Sequence, residues 1–238
     1  MADFIEDRWF GDLVGRESWC LSIDDDGLDI AAIRKLKFLQ DKKVFIYTRI
    51  PTLDLISLHL LESLGFRVID TNMSMECPVG ELNIPIKKSG SVRLSVPADR
   101  EAVMSLARQS FAYSRLHLDP EVPTEIADHS RAAWAGNFFS GERGDFMVIA
   151  ETEGKQTGFL QLLGPSNGKL SIDLIAVDSA WRGRGQADAM IAFGADNCGK
   201  TSTLRVGTQV ANTPSIRFYE RLGFRVVASS YVLHFHGK

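Results

Sequence analysis

The chain has 238 residues, 45% of them hydrophobic and 24% charged, and carries a net charge of −3. That balance suits a soluble globular protein of one large or two small domains. It excludes the basic field of a general nucleic-acid binder, and no run approaches the ~20 apolar residues that a membrane span needs. The N-terminal MADFIEDRWF has acids where a secretory signal would have basic residues. Cys20, Cys77 and Cys198 are odd in number and lack C-x-x-C spacing, which argues against a disulfide framework or a zinc site. A cytoplasmic location is expected.

Taken in order, residues 1–80 alternate short apolar runs with turns. Trp19–Ile23 and Val44–Ile50 read as strands and Asp29–Leu39 as a helix. Leu53–Leu64 predicts a helix with Leu55, Leu58, Leu61 and Leu64 on one stripe; Gly65 ends it and Phe66–Ile69 follows as a strand. Pro78–Gly90, with two prolines, two glycines and the pair Lys87–Lys88, places a boundary between a small N-terminal α/β domain (1–85) and a larger one (86–238).

From residue 91 the expected elements are a strand at Val92–Val96, a helix capped by Asp99 and lined by Val103, Leu106, Ala107 and Phe111, and a polar loop at Tyr113–Pro120. A second helix spans Thr124–Asn137. Phe146–Glu151 and Thr157–Leu163 flank a hairpin turn at Gly154, and a further strand covers 170–177. A helix follows Gly185, then a strand at Thr203–Val210, a helix at Pro214–Leu222 and two closing strands, Phe224–Val227 and Tyr231–Phe235. One segment repeats: Leu64-Gly-Phe-Arg-Val68 recurs as Leu222-Gly-Phe-Arg-Val226, with Glu62 and Glu220 matched two residues before each copy. Where the second copy has Asn212 and Tyr219, the first has Asp54 and Leu61.

Asp173–Ala189, DLIAVDSAWRGRGQADA, carries the chemistry. A strand runs into a glycine turn that opens a helix, which presents unpaired N–H groups and the positive end of the helix dipole to an anion. Gly183 and Gly185 allow close main-chain approach, and Arg182 and Arg184 add charge. The spacing is not a Rossmann fingerprint, since Gln186, Ala187 and Asp188 follow Gly185 with no third glycine. Nor is it a P-loop, having no Lys-Ser/Thr. It reads Arg182-x-x-Gly185-x-Ala187, which resembles the pyrophosphate-binding motif of the GCN5-related N-acetyltransferases (GNAT). NTPSIRFYERLGF at 212–224 is similar to that family's second motif. The element order from 91 to 238 also resembles the family's fold, an α/β (α+β) arrangement with a mixed, mostly antiparallel sheet.

The resemblance implies acetyl-CoA as cosubstrate and no metal. It implies that the strands at 170–177 and 203–210 splay, so that main-chain groups of Ile175, Ala176 and Val177 meet the pantetheine. The loop Arg182, Gly183, Arg184, Gly185, Gln186 and Ala187 would hold the pyrophosphate. Asn212 and Ser215 would sit beside the thioester, and Tyr219 would protonate the departing thiolate, a role open to a phenol that keeps its proton at pH 7. For the base that takes the amine proton, Asp173, Asp70 and His117 are open alternatives. His234 and His236 alternate on the last strand, with no acidic partner evident in the sequence for a metal.

WFG near Trp9, YSRLH at 113–117 and the long run 205–233 resemble the bacterial dTDP-fucosamine acetyltransferases. That likeness implies a nucleotide-linked 4-amino-4,6-dideoxy sugar as acceptor, with Ser114, Arg115 and His117 facing it, and a homodimer. A polyamine, an aminoglycoside or a peptide amine remains open as acceptor, as does a non-catalytic acetyl-CoA sensor.

Overall fold

The computed structural model describes residues 2–24, 27–85 and 90–238. Lys87 and Lys88 and the middle of the expected boundary segment lie outside the described residues. The first half supplies β1 (Ala2–Glu6), α1 (Arg8–Val14), β2 (Glu17–Ile23), α2 (Ile30–Leu39), β3 (Val44–Pro51), α3 (Leu55–Ser63) and β4 (Arg67–Pro78). Then come β5 (Ser91–Leu94), α4 (Arg100–Ser110), α5 (Thr124–Gly136), β6 (Phe146–Thr152), β7 (Lys155–Ser166) and β8 (Lys169–Val177). The chain closes with α6 (Gln186–Asn197), β9 (Thr203–Gln209), α7 (Thr213–Arg221) and β10 (Arg225–His236).

The ten strands among the described residues join one mixed sheet in the order β1-β2-β3-β10-β4-β9-β8-β7-β6-β5. Alternation along the strands divides the apolar residues between two faces. Val148, Leu160, Leu170 and Leu204 pack with Met190 and Ile191 of α6 and with Tyr219 of α7. Met147, Ile149, Phe159 and Leu174 pack on the other face against Val103 and Ala107 of α4 and Ala135 of α5. In the first half, α2 and α3 cover Leu21, Ile46 and Leu233, whereas α1 and the α4–α5 loop meet Phe45 on the opposite side.

Three expected elements need correction. Leu58 and Leu61 of α3 are buried but Leu55, the first residue of the helix, is 49% exposed. The strand expected at Phe66–Ile69 runs on to Pro78, since Asp70 and Asn72 are buried polar residues that break the apolar pattern without breaking the ladder. The two expected closing strands are one, β10, with a bulge where its register shifts between Val226 and Ala228.

The repeated segment marks an internal pseudo-two-fold axis. Counted from each LGF, the β4–β10 ladder maps onto itself: Arg225 faces Glu76 as His234 faces Arg67, Val226 faces Met75 as Leu233 faces Val68, and Asn72 faces Ser230 at the centre. Each copy flanks the other's last strand, with Pro51 of β3 beside Ser230 and Gln209 of β9 beside Asn72. The caps match too: Asp54 accepts from the Ser57 N–H at 3.0 Å, and Asn212 from the Ser215 N–H at 3.3 Å. The first copy differs where ligand chemistry would be. Asp29 caps α2 with its own carboxylate, accepting from the Ala32 N–H at 2.7 Å, so that helix end already holds an anion.

Gly65 and Gly223 close the helices of the two copies, both at φ 99°. A Cβ at Gly223 would meet the main-chain oxygen of Glu81 at 2.9 Å, whereas one at Gly65 would meet the Phe235 ring at 3.2 Å. Main chain yields less readily than a ring edge. Gly223→Ala is expected to lose about 2–3 kcal/mol in urea unfolding and Gly65→Ala about 1–2 kcal/mol. The reverse order would contradict this packing.

Candidate active site

The parallel pairing of β8 with β9 stops early. It joins Lys169–Ile172 to Thr203–Val206 and goes no further, although both strands continue. The cause is a bulge at Asp173: opposite β7 the register jumps from Ile172 to Leu174. Ile172 and Leu174 consequently enter the cores on opposite faces, and beyond the bulge β8 turns away from β9. Ile175, Ala176 and Val177 stay bonded to β7 on one side and leave their β9 side open.

A cleft of about 1210 Å³ occupies the gap and extends over the face that carries α1, α4 and α5. Its first half holds the glycine loop. Asp178 caps a short turn by accepting from the Ala180 N–H at 2.9 Å, and Arg182 Nε donates to the Val177 carbonyl at 3.0 Å. Gly183 and Gly185 take φ of 75° and 87°, a region that suits glycine. No side chain caps α6, so its first N–H groups face the cleft mouth beside Arg182, whereas Arg184 is not among the lining residues and stacks 4.7 Å over the Trp181 ring. Gln186 is 2% exposed and its amide donates to Thr152 Oγ1 at 2.8 Å, so it offers main chain rather than side chain. Ala187 lines the cleft, and Asp188 is held by Arg221.

Asn212, Ser215 and Tyr219 of α7 border the same space. Because Asn212 Oδ1 serves as the helix cap, its amide N–H groups are left for a ligand. Tyr219 is 3% exposed, packs against Phe218 and Phe224, and has no hydrogen-bond partner for its hydroxyl among the described residues. Burial pushes its pKa above the ordinary phenol value.

The second half of the cleft is cationic and aromatic. Arg49, Arg115, Arg131 and Arg143 line it with Trp9, Phe10, Phe111, Tyr113 and Trp134. Its acid is Asp173, whose carboxylate already accepts from Trp134 Nε1 at 2.9 Å, Gln161 Nε2 at 3.0 Å, and Arg143 Nε and Nη2 at 2.8 and 2.7 Å. Arg131 Nε is buried with no partner, and burial lowers the Arg131 pKa to about 10, still charged at neutral pH.

The sequence candidates for the base separate here. Asp173 spends both oxygens on four donors. His117 does not line the cleft: its Nδ1 meets Ser114 Oγ at 2.6 Å and its Nε2 meets Asp128 at 3.0 Å. Asp70 on β4 is not among the lining residues either, but it is 6% exposed, lies two residues from the cleft-lining Asn72 and keeps Oδ2 without a hydrogen-bond partner, and desolvation raises its pKa to about 6. Ser114 and Arg115 do line the cleft.

Two buried groups oppose each other in their acid dependence. His234, fully buried, has its pKa lowered to about 4 by desolvation, so between pH 6.5 and 4 the unfolded chain takes a proton that the folded chain refuses, and stability falls as pH falls. Asp70 does the reverse: from pH 6 down to about 4 the folded chain binds the extra proton, and stability rises. Asp70→Asn is expected to gain about 2 kcal/mol at pH 8. It should also lose stability more steeply than wild type between pH 6.5 and 4.5 in urea midpoints. An unchanged slope would contradict the assignment.

His234 and His236 do have an acidic partner, which the sequence hid 115 residues away: Asp119 Oδ2 meets His234 Nδ1 and, at 2.8 Å, His236 Nε2. The three donor atoms lie within 4.8 Å of one another. The set does not fit a metal. Arg115 Nη1 and Arg16 Nη2 can only donate, to His234 Nε2 at 3.0 Å and His236 Nδ1 at 2.8 Å, which leaves the protons on the nitrogens facing Asp119. Sequence reasoning also missed Arg49, Asn72, Arg131 and Arg143, which come from four separate segments. The one local signal was Arg131 and Trp134, one helical turn apart on α5.

No helix among the described residues is long and apolar enough to cross a membrane. A model of the acetyltransferase (GNAT) family matches residues 101–224. The chain is 30% identical over 199 residues to the spore coat polysaccharide biosynthesis protein SpsD of Bacillus subtilis, covering 82% of this chain and 67% of that protein. It is 26% identical over 181 residues to a dTDP-fucosamine acetyltransferase of Escherichia coli O6:H1, covering 74% and 75%. Among solved structures, a GCN5-related N-acetyltransferase from Sphaerobacter thermophilus superposes with a TM-score of 0.64 at 18% identity, covering 99% of this chain and 76% of the other. With the family match running from α4 to α7 and taking in the glycine loop and Asn212–Tyr219, the chain belongs to the acetyltransferase (GNAT) family and is an acyl-transferring enzyme.

Proposed function

We propose that the enzyme transfers acetyl from acetyl-CoA to the amino group of a dTDP-linked 4-amino-4,6-dideoxy sugar. The observation that carries this reading is the acceptor half of the cleft, where four arginines face one carboxylate that is already paired, between aromatic rings. Guanidinium groups suit a diphosphate, and the rings suit a base and a sugar face. A polyamine or an aminoglycoside, itself cationic, would be repelled. The names of the two relatives, in polysaccharide biosynthesis and dTDP-fucosamine acetylation, point the same way.

In this reading Gly183, Gly185 and the α6 N-terminus hold the pyrophosphate, with Arg182 and Arg184 beside them. The open edge of Ile175, Ala176 and Val177 pairs with pantetheine amides, and Asn212 and Ser215 flank the thioester. The amine nitrogen attacks the acetyl carbonyl, the C–S bond breaks, and Tyr219 gives its proton to the leaving thiolate. Asp70, the candidate that keeps an oxygen free, takes the first proton of the ammonium before attack, and the second N–H proton, lost as the amide forms, restores the Tyr219 phenol.

Thiol release from acetyl-CoA across a panel of dTDP-4-amino-4,6-dideoxy sugars, polyamines, aminoglycosides and peptides tests the acceptor class. Turnover with the nucleotide sugars supports the reading. Turnover with polyamines instead, or none with any amine while acetyl-CoA binds, overturns it.

A further inference from the structure

We propose that Asp119 and His234 form a relay that holds the Arg115 guanidinium as an anion receptor for the acceptor, making both of them positioning residues. This rests on the acceptor reading above for the identity of the natural ligand, though the receptor itself is argued from its own geometry.

Arg115 belongs to the α4–α5 loop, yet it is fixed from three sides. Its guanidinium carbon stands 3.9 Å from the centre of the Tyr47 ring, and Phe10 and Phe45 lie at 5.3 and 5.8 Å. Its Nη1 donates to His234 Nε2 at 3.0 Å. His234 can accept there only because its proton sits on Nδ1, and it sits there because Asp119 takes it. Asp119 is in turn oriented by the Glu121 N–H at 2.9 Å and by His236, which Arg16 fixes in the opposite tautomer. The negative charge stays 3% exposed behind His234, one ring removed from Arg115. Arg115 is thereby aimed without being neutralised, and no carboxylate pairs with it directly among the described residues. Burial, with Arg49 nearby, lowers its pKa to about 10, the signature of a cation short of a counter-ion. Arg131, equally short of one, lines the same cleft with a buried Nε that has no partner. Two guanidinium groups under-compensated in one half-cleft fit a phosphate or diphosphate.

The test uses inorganic pyrophosphate and dTDP as probes, titrated calorimetrically against the whole chain. Arg115→Gln should weaken both by about tenfold to a hundredfold. His234→Phe, which removes the acceptor for Arg115, should weaken them by about tenfold. His234→Gln, whose amide oxygen can still accept from Arg115, should stay within about threefold of wild type. Acetyl-CoA affinity should hold in all three. Equal losses in His234→Phe and His234→Gln would overturn the relay, as would wild-type binding in Arg115→Gln. Should His234→Phe fail to fold, nitrogen-15 NMR of the wild type decides. The relay requires the Nδ1–H tautomer of His234 at pH 7 and a shift of its Nε2 signal on adding pyrophosphate; an Nε2–H tautomer overturns it. If pyrophosphate binding follows the expected order but no nucleotide sugar is acetylated, the acceptor reading fails and the relay stands. If the sugar is acetylated while His234→Phe binds pyrophosphate like wild type, the relay alone fails.

Discussion

Replacing Tyr219 with Phe is expected to lower kcat by about 100-fold or more, the range for losing a general acid, while acetyl-CoA affinity should change by less than about twofold. The ring is packed between Phe218 and Phe224, so the Phe variant keeps the core contacts and deletes one hydroxyl that no group among the described residues holds. Burial raises the Tyr219 pKa, so the phenol is protonated throughout the working range and the alkaline side of the kcat profile has no limb from it. A thioester of a more acidic thiol needs less help in leaving, and the variant's deficit should shrink with such a donor. A Tyr219→Phe enzyme with unchanged kcat would remove the acid from this position.

Asp173→Ala costs about 3 kcal/mol or more, because it strands donors from three side chains at once. The Gln161 side chain is fully buried and its amide donates to Asp173, so removing that carboxylate leaves a buried donor unpaired. Trp134 Nε1 and both Arg143 contacts lose their acceptor as well, and with them the Arg143 guanidinium stacked 4.2 Å from the Trp134 ring. Urea unfolding reads the loss directly. Were Asp173 the base instead, Asp173→Asn would leave stability intact and abolish turnover. The hydrogen bonds predict the opposite order: a loss of stability, with kcat of the folded fraction within about tenfold of wild type.

The half of the site proposed to hold acetyl-CoA was legible because its determinants are contiguous. Arg182 to Ala187 lead from a glycine loop into the first turn of α6, and Asn212 caps α7, which carries Ser215 and Tyr219 within seven residues of that cap. The LGF repeat likewise pointed to a structural duplication, and the β4–β10 ladder obeys it pair by pair. The acceptor half was not legible. Arg49 comes from β3, Asn72 from β4, Arg115 from a loop and Arg131 from α5, and only the sheet order brings them together. Nor could the sequence show what Asp119 does for His234, or that Asp173 sits on a bulge: a bulge leaves no mark on local composition, yet it sets where β8 parts from β9.

The claim that the acceptor half recognises an anionic nucleotide sugar is tested most directly by comparing kcat/KM for two acceptors in the thiol-release assay. One is dTDP-4-amino-4,6-dideoxygalactose and the other is the methyl glycoside of the same amino sugar, which has the same amine and no diphosphate. The arginines predict a preference of about 100-fold for the nucleotide sugar, the worth of one to two charge-assisted hydrogen bonds, shrinking as salt is raised. Equal kcat/KM for the two acceptors, or a preference untouched by salt, would contradict it.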